Sequence, residues 1–242
     1  MPDFIVDMHV HTVKGASDSS LTPQQLVEEA RRIGLNGVNI SEHDRLWDAR
    51  EMERFSQESG LFASRGMEVS TDLGHIIVLG LERYAPGIHE AANLRRVVTK
   101  ADGFMWLAHP FRHFFDPVHF LRDGRPQPNL TAEEAARLPI FALVDDLEVA
   151  NGGCTTQENV FALAVARILG KRGIGASDAH STHGLGCFTT VFRRPLADER
   201  ELIAELRSGH YYPAEGLLSG ALVAFGESAS DISASSSLRG GT

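Results

Sequence analysis

Short apolar runs alternate with amphipathic segments along most of the chain. The run "FIVDMHV" at 4–10 is typical of a β-strand. The segment 21–34 instead carries apolar residues at helical spacing, with a glycine as its last residue. Thr22 and Gln25 have the spacing of a capping box, and Pro23 takes the first helical position. The pattern therefore predicts a helix that begins after Thr22 and follows the first strand.

The same reasoning extends over the rest of the chain. Further strands are predicted at 37–44, 61–71, 75–81, 104–111, 141–152 and 173–182. Further helices are predicted at 45–59, 88–101, 130–138, 155–170 and 198–209. Strands that alternate with helices indicate an α/β protein with a parallel sheet. We interpret residues 1–225 as a single domain and the Ser- and Gly-rich segment 226–242 as a flexible tail.

Polar residues gather where the predicted strands end. In a (β/α) barrel, side chains at the carboxyl ends of several strands meet at one mouth and build the active site. His9 and His11 lie two residues apart on the first strand, so they point to the same face. Two histidines of this kind are a weak signal alone, because they fit a metal site and a pair of satisfied polar side chains equally well.

Ligand-type residues recur at the ends of the other predicted strands. Six of the eleven histidines lie at the start or end of short apolar runs, together with two acids. The set is His9, His11, His43, Glu68, His75, His109, Asp178 and His180. Burying so many imidazoles and carboxylates is costly unless a cation uses them as ligands. The sequence therefore predicts a multinuclear metal site.

Composition and charge narrow the class of protein. The net charge of −9 argues against a nucleic-acid binder that works through a broad basic surface. Cys154 and Cys187 form no CxxC motif, and we expect reduced thiols and a cytoplasmic location. The sequence shows no signal-peptide pattern, and no apolar run approaches the roughly 20 residues of a membrane helix. We therefore expect a small substrate and neither a membrane nor an extended nucleic acid as partner. The oligomeric state is left open.

The ordered motifs resemble those of a known family. HxH on the first strand, "EHD" after the second, a strand-end glutamate, "HP" and a late "SDAH" are similar to the polymerase and histidinol phosphatase (PHP) family. The resemblance covers nearly all of the predicted domain. It implies a distorted (β/α)7 barrel that uses two or three divalent metal ions (Mn, Fe or Zn) to hydrolyse phosphoesters. Family substrates include histidinol phosphate, nucleotides and the 3′ ends of nucleic acids. The substrate, and the choice between phosphatase and phosphodiesterase, therefore stay open.

The resemblance also implies a ligand set for a trinuclear centre. One ion is assigned to His9, His11, Glu68 and Asp178, a second to Glu68, His75 and His109, and a third to His43 and His180. The family often completes the third site with an acid or histidine in the loop after HxH. The nearest acid in that loop is Asp18, which lies slightly further along than usual. We take Asp18 as the remaining ligand.

Catalytic roles follow from the same resemblance. Glu68, Asp178 and His180 are the predicted catalytic residues. The implied reaction is the in-line attack of a metal-bridged hydroxide on phosphorus, which needs no protein nucleophile.

Other polar residues at strand ends have more than one interpretation. Arg112 suits bidentate phosphate binding, and we favour it as a substrate contact together with His183. Asp44 directly follows His43 and would face away from it on a strand, so we expect it to support the ligands or to have a structural role rather than to bind metal. Glu148 and Asn151 fit a supporting or substrate-binding role and a plain structural role equally well.

Two alternative functions use a similar set of residues. An amidohydrolase-like enzyme that cleaves C–N or C–O bonds would more often carry a carbamylated lysine at a strand end. Lys14, Lys100 and Lys171 are the lysines of this chain, and none closes a predicted strand. A non-catalytic, metal-stabilised regulatory domain would have lost ligands, whereas this sequence keeps nearly the full set. A small phosphorylated substrate therefore remains the expectation.

Overall fold

A ten-stranded sheet forms the centre of residues 3–227, the part of the chain that the computed structural model describes. The strands are β1 (Phe4–Val10), β2 (Gly37–His43), β3 (Phe62–Thr71), β4 (Gly74–Leu79), β5 (Phe104–Leu107), β6 (Asp146–Asn151), β7 (Ile174–Ala176), β8 (Phe188–Phe192), β9 (Tyr211–Glu215) and β10 (Val223–Ala224). The helices are α1 (Pro23–Ile33), α2 (Ala49–Ser59), α3 (Ala91–Lys100), α4 (Pro117–Arg122), α5 (Ala132–Ala135), α6 (Ile140–Leu143), α7 (Thr156–Leu169) and α8 (Glu199–Ser208). A 3₁₀ turn covers Leu217–Ser219.

The first seven strands curl into a barrel. They lie in chain order, β1 to β7, with parallel pairing within β1–β2–β3 and within β5–β6–β7. The chain beyond β7 returns to β1, where Val10 forms a parallel bridge with Ala179 and His11 N–H donates to the Ala179 carbonyl at 2.9 Å. The predicted distorted (β/α)7 barrel is therefore confirmed. Strands β8, β9 and β10 extend the sheet from β1 with antiparallel pairing.

Strand β4 is the distortion in this barrel. It pairs in antiparallel fashion with both β3 and β5, so its first residue lies where the parallel strands end. Ser70, near the end of β3, is directly opposite His75 at the start of β4. The reversal therefore brings a residue from the beginning of a strand to the barrel mouth, the end at which the parallel strands finish.

Helix α1 begins and ends where the sequence predicts. The Thr22 side chain accepts from the Gln25 N–H, and the Gln25 side chain accepts in return from the Thr22 N–H. Gly34 closes the helix in the left-handed region at φ 83°. Leu26 and Ala30 are buried, so the apolar stripe packs the helix against the sheet.

Some elements differ from the predictions. The predicted strand at 141–152 begins with helix α6, and only its second part is strand β6. A short apolar run does not distinguish a buried helical turn from a buried strand, and this run contains one of each. Strands β8–β10 and helix α4 lie outside the predicted elements. Of the predicted tail at 226–242, residues 228–242 lie outside the described residues.

Asp7 ties the end of β7 to β1. Its buried carboxylate accepts from Ser177 N–H and Gly186 N–H, each at 2.9 Å. Burial raises the pKa of Asp7 to about 6 against the opposing effect of these hydrogen bonds. The contact fixes the chain segment that follows β7, and this segment carries two of the predicted metal ligands.

The described residues also bear on the membrane prediction. No helix within residues 3–227 is long and apolar enough to cross a membrane.

Candidate metal centre

The predicted ligands meet at the barrel mouth. The ligands lie on or just after the barrel strands: His9 on β1 and His11 directly after it, His43 at the end of β2, Glu68 on β3, His75 near the start of β4, His109 after β5, and Asp178 and His180 after β7. Asp18 lies in the loop between β1 and α1. The imidazole centroids of His9 and His109 are 5.8 Å apart, although the two residues lie on strands far apart in the sequence. Because the parallel strands and the reversed β4 share one end, the side chains converge there.

Glu68 lies at the centre of the cluster. One carboxylate oxygen, Oε1, is 2.9 Å from His75 Nδ1 and 3.0 Å from His109 Nε2. The other oxygen, Oε2, is 2.8 Å from His43 Nδ1. The side chain is 2% exposed. Its two oxygens therefore face different histidines, which is the arrangement that a carboxylate bridging two cations requires.

His9, His11 and Asp178 form the most deeply buried group. The Nε2 atoms of His9 and His11 are 2.8 Å apart, and Asp178 Oδ1 is 3.4 Å from each of them. Glu68 Oε2 is 3.6 Å from His9 Nε2 and 3.4 Å from His11 Nε2. Both histidines are fully buried. Four potential ligand atoms therefore surround one point inside the mouth.

A third group lies nearer the solvent. His11, His43 and His180 each offer a nitrogen within 4.8 Å of the others. Asp18 reaches between two of them, with Oδ1 3.4 Å from His43 Nε2 and Oδ2 3.5 Å from His180 Nε2. The Asp18 side chain is 61% exposed, whereas that of Asp178 is 4% exposed. The third group is therefore the most open of the three.

The donor chemistry of the cluster fits divalent cations. The Glu148 carboxylate lies 3.0 Å from His9 Nδ1 and keeps a hydrogen on that nitrogen, so Nε2, which lies 2.8 Å from His11 Nε2, is the atom that can bind a cation once His9 is neutral. Glu68 Oε2 is buried and receives no hydrogen bond of good geometry, despite the imidazole nitrogens around it. Lone pairs that face one another repel unless a cation or a proton lies between them. Imidazole nitrogens and carboxylate oxygens are ligands for Zn²⁺, Mn²⁺ and Fe²⁺.

Neighbouring charges set the protonation of the buried histidines. Burial alone would lower the pKa of His9, but the carboxylates of Asp178, Glu148 and Glu68 together raise it well above its ordinary value. Burial lowers the pKa of His11 to about 4. Burial also opposes ionisation of Glu68, yet His9 and the surrounding imidazoles hold the pKa of that carboxyl well below its usual range.

We expect a divalent cation to displace a proton from His9. A ligand imidazole must be neutral, and the carboxylates that raise the pKa of His9 favour its protonated form, so cation binding releases a proton from this residue. His11, with its lowered pKa, is already neutral and contributes none. Lowering the pH therefore weakens binding. Calorimetric titration of metal-free protein with Mn²⁺, in buffers of different ionisation enthalpy, measures the release. Identical heats in all buffers would contradict this prediction.

Glu148 supports the ligands, a role that the sequence alone does not decide. Besides His9, its buried carboxylate accepts from Trp106 Nε1 at 3.2 Å, His109 N–H at 2.8 Å and Asn151 Nδ2 at 2.7 Å. It therefore fixes the tautomer of one histidine and the main chain of another. Its place in the apolar run that forms β6 is the only signal in the sequence, and that signal does not reveal its partners.

Two residues of the cluster have unusual backbone conformations. His109 has φ 27° and Asp178 has φ 56°, both in the left-handed region that residues with a side chain rarely adopt. Such conformations cost about 1–3 kcal/mol each and concentrate at functional sites. Both residues lie directly after short barrel strands, so the turns aim their side chains into the mouth.

The remaining predicted residues lie around the cluster. Arg112 Nη1 is 3.2 Å from Asp178 Oδ2, which places the guanidinium at the mouth. The His183 side chain is exposed, and within residues 3–227 its imidazole makes neither a hydrogen bond nor an ion pair. Its role as a substrate contact stays a prediction. Asp44 accepts from the Ser70 N–H at 3.2 Å, so its carboxylate is bonded to the main chain near the end of β3.

Comparisons with known proteins agree with this architecture. The family model "PHP-associated" matches residues 156–211. An error-prone DNA polymerase of Nocardia farcinica is 29% identical over 125 residues, which are 50% of this chain and 10% of the polymerase. A 5′-3′ exoribonuclease of Haemophilus influenzae is 32% identical over 84 residues, which are 33% of this chain and 30% of that enzyme. The chain thus spans less than a third of the length of either relative.

Solved structures share the fold at low sequence identity. A Bifidobacterium adolescentis protein assigned as a metal-dependent phosphoesterase has a TM-score of 0.58 and 20% identity over 84% of this chain and 96% of that chain. The lesion-specific endonuclease Q of Pyrococcus furiosus has a TM-score of 0.53 and 16% identity over 86% of this chain and 56% of that chain. The resemblance to the PHP family is therefore confirmed.

Proposed function

We propose that this PHP-like barrel is a metal-dependent phosphoesterase. The observation that carries the proposal is the position of Glu68, whose two buried oxygens face separate groups of histidines at one barrel mouth. The similarity to a metal-dependent phosphoesterase, an exoribonuclease and an endonuclease supports phosphoester hydrolysis as the reaction.

The proposed ligand sets follow the three groups of side chains. One ion would be held by His9, His11, Glu68 and Asp178, a second by Glu68, His75 and His109, and a third by Asp18, His43 and His180. Bound divalent cations lower the pKa of water and neutralise charge on phosphoryl oxygens. The protein contributes the rigid arrangement of ligands, which Glu148 and the barrel strands support. Manganese, iron and zinc all suit this mixture of imidazole and carboxylate.

Arg112 is the proposed phosphate contact of the protein itself. One guanidinium nitrogen is held by Asp178, which orients the group while its other N–H donors stay available for phosphoryl oxygens. The side chain is 43% exposed, so an incoming substrate can reach it.

We expect Arg112→Ala to raise KM for a phosphorylated substrate by about tenfold, because one charge-assisted hydrogen bond to the phosphate is lost. Arg112→Lys is the matched control. It keeps the charge but not the planar fork, and we expect an intermediate KM. Steady-state kinetics of both variants measure the effect. A KM that stays at the parent value in Arg112→Ala would show that the guanidinium does not contact substrate.

The amidohydrolase alternative lacks its characteristic residue at this site. Lys14 pairs with Glu51 on helix α2, and Lys171 donates to the carbonyls of Val144 and Asp145. Lys100 ends helix α3. None of these lysines lies in the cluster, so no carbamylated lysine is positioned to bridge the ions.

A nuclease is the second candidate function. The exoribonuclease and endonuclease similarities favour it, whereas the net charge of −9 favours a small phosphorylated substrate, including a nucleotide. A panel of phosphomonoesters, nucleotides, small diesters and oligonucleotides, assayed with Mn²⁺, Fe²⁺ and Zn²⁺, tests the proposal. Hydrolysis of a monoester or nucleotide is the expected result. Turnover of oligonucleotides alone would favour the nuclease, and turnover of none would contradict a phosphoesterase.

A further inference from the structure

Glu42 is a buried acid that the proposed reaction does not use. It precedes His43 on β2, its side chain is fully buried, and no ion pair with a cation forms within residues 3–227. Its Oε2 accepts from Thr12 N–H at 3.1 Å, and its Oε1 accepts from the Thr12 hydroxyl and from Trp47 Nε1 at 2.8 Å. Burying a carboxylate costs free energy, and these three hydrogen bonds offset that cost.

The donors belong largely to the segment that carries Asp18. Residues 12–21 join β1 to α1, and we call them the β1–α1 loop. Thr12 begins this loop, and its hydroxyl also accepts from the Lys14 N–H at 3.3 Å. At the other end of the loop, Ser20 N–H donates to the His180 carbonyl at 2.8 Å. Asp18 lies between these two anchors.

The loop also packs directly on the Glu42 side chain. A Cβ added at Gly15 would collide with the carbon atoms of Glu42, so only glycine allows this approach. Trp47 donates to Glu42 and also contacts Lys14. The Lys14 ammonium lies 4.4 Å from the centroid of the Trp47 ring. Lys14 is further held by Glu51. The first half of the loop is therefore fastened to β2 and helix α2 through Glu42 and its partners.

We propose that Glu42 is a positioning residue, which holds the β1–α1 loop through Thr12 so that Asp18 reaches between His43 and His180. Adjacent residues on a strand point to opposite faces. His43 therefore offers a ligand to the third ion directly, whereas Glu42 fixes the loop that carries a second ligand, Asp18. This inference rests on the proposed function, because it assigns a role toward the third ion.

The chemistry requires a carboxylate at this position. All the partners of Glu42 act as donors, so both of its oxygens must accept. A glutamine has the same shape but only one oxygen. Whichever way its amide turns, the NH₂ group faces either the Thr12 N–H or the Trp47 N–H. One anchoring hydrogen bond is then replaced by a contact between two donors.

Glu42→Gln tests the inference through two measurements that do not depend on activity. Titration of metal-free protein with Mn²⁺ should show the first two ions bound as in the parent and the last about tenfold more weakly, the effect of one lost anchoring hydrogen bond. Limited trypsin digestion, followed by mass spectrometry, should show several-fold faster cleavage after Lys14, since the loop is released. Both effects share one cause, so they should appear together.

Two further variants separate positioning from general stability. Glu199→Gln is the control for the chemical change, because Glu199 is a partly buried acid that accepts from Arg65 N–H and Gly80 N–H away from the cluster. We expect it to change neither the last ion nor cleavage after Lys14. Gly15→Ala displaces the loop through a methyl group that meets the Glu42 side chain, and it leaves the carboxylate chemically unchanged. It should reproduce both effects of Glu42→Gln.

The outcomes distinguish this inference from the proposed function. Parent-like affinity for the last ion and parent-like cleavage after Lys14 in Glu42→Gln would overturn the positioning role, whatever the change in melting temperature. Weakening of the last ion in Glu199→Gln to the same extent would also overturn it. A parent protein that binds only two ions would instead overturn the three-ion proposal, and the role of Glu42 with it, before any variant is compared.

Discussion

Glu68→Gln should lower phosphoesterase turnover by at least about a hundredfold while the barrel stays folded. Each oxygen of Glu68 faces a different set of imidazoles, at 2.8 Å from His43 and at 2.9 Å and 3.0 Å from His75 and His109. The substitution replaces one of these acceptors with an NH₂ group. That group cannot bind a cation, and it removes the negative charge that two neighbouring cations would share. The substitution therefore weakens the bridge between the two ions, and turnover falls as a result.

Kinetics and metal analysis of the purified variant measure this effect together. We expect the variant to hold fewer ions than the parent and to melt as one cooperative unit. Glu199→Gln is a suitable control here as well, because it makes the same chemical change in a partly buried acid outside the cluster. Parent-like turnover with full metal content in Glu68→Gln would show that this carboxylate does not bridge.

Asp18→Ala should leave two ions bound and still reduce turnover sharply. Asp18 belongs to the most open group, where its oxygens lie 3.4 Å from His43 Nε2 and 3.5 Å from His180 Nε2. Ordering a loop costs about 1–2 kcal/mol per residue, so this site should bind its ion most weakly and fill last. Without Asp18 the remaining side chains are too few to retain the ion, and its charge no longer stabilises the phosphoryl group.

Metal counting on Asp18→Ala decides between a ligand and a solvated loop acid. Ser17→Ala, at an exposed neighbouring position, controls for changes in the loop itself. The account predicts one ion fewer and turnover lower by at least about tenfold in Asp18→Ala alone. If stoichiometry and turnover match the parent, Asp18 is not a ligand and the protein uses two ions.

Much of the barrel could be predicted because local rules and tertiary packing agree. The capping box at Thr22 and Gln25 fixes the start of α1, and apolar runs fix the strands. Strand-end polarity places His9 and His11 at a common mouth once a barrel is assumed. The contribution of His75 is less direct, because it requires β4 to run against its neighbours. The sequence predicts strands at 61–71 and 75–81 but does not by itself show that they run in opposite directions.

The parts that could not be predicted depend on long-range pairing. Glu148 contacts His9, a partner 139 residues away in the sequence, and no local pattern indicates this. In the sequence, Glu42 is an ordinary residue of the "EHD" motif, and only the structure shows that the β1–α1 loop folds over it. The apolar run at 141–152 predicts a strand throughout, because runs of this length fit a buried strand as well as a buried helical turn. Sequence patterns thus indicate which side chains reach the mouth better than they indicate what holds them there.

The most direct test of the central claim is stepwise reconstitution of the metal-free protein. Mn²⁺ is added in known ratios to protein stripped by a chelator, and bound metal and phosphoester hydrolysis are recorded at each ratio. The account predicts no hydrolysis without metal and little with one ion, a rise as the ions that share Glu68 are both bound, and full turnover when the last, weakest site fills. Hydrolysis by the metal-free protein, or full turnover with a single ion bound, would contradict a multinuclear phosphoesterase.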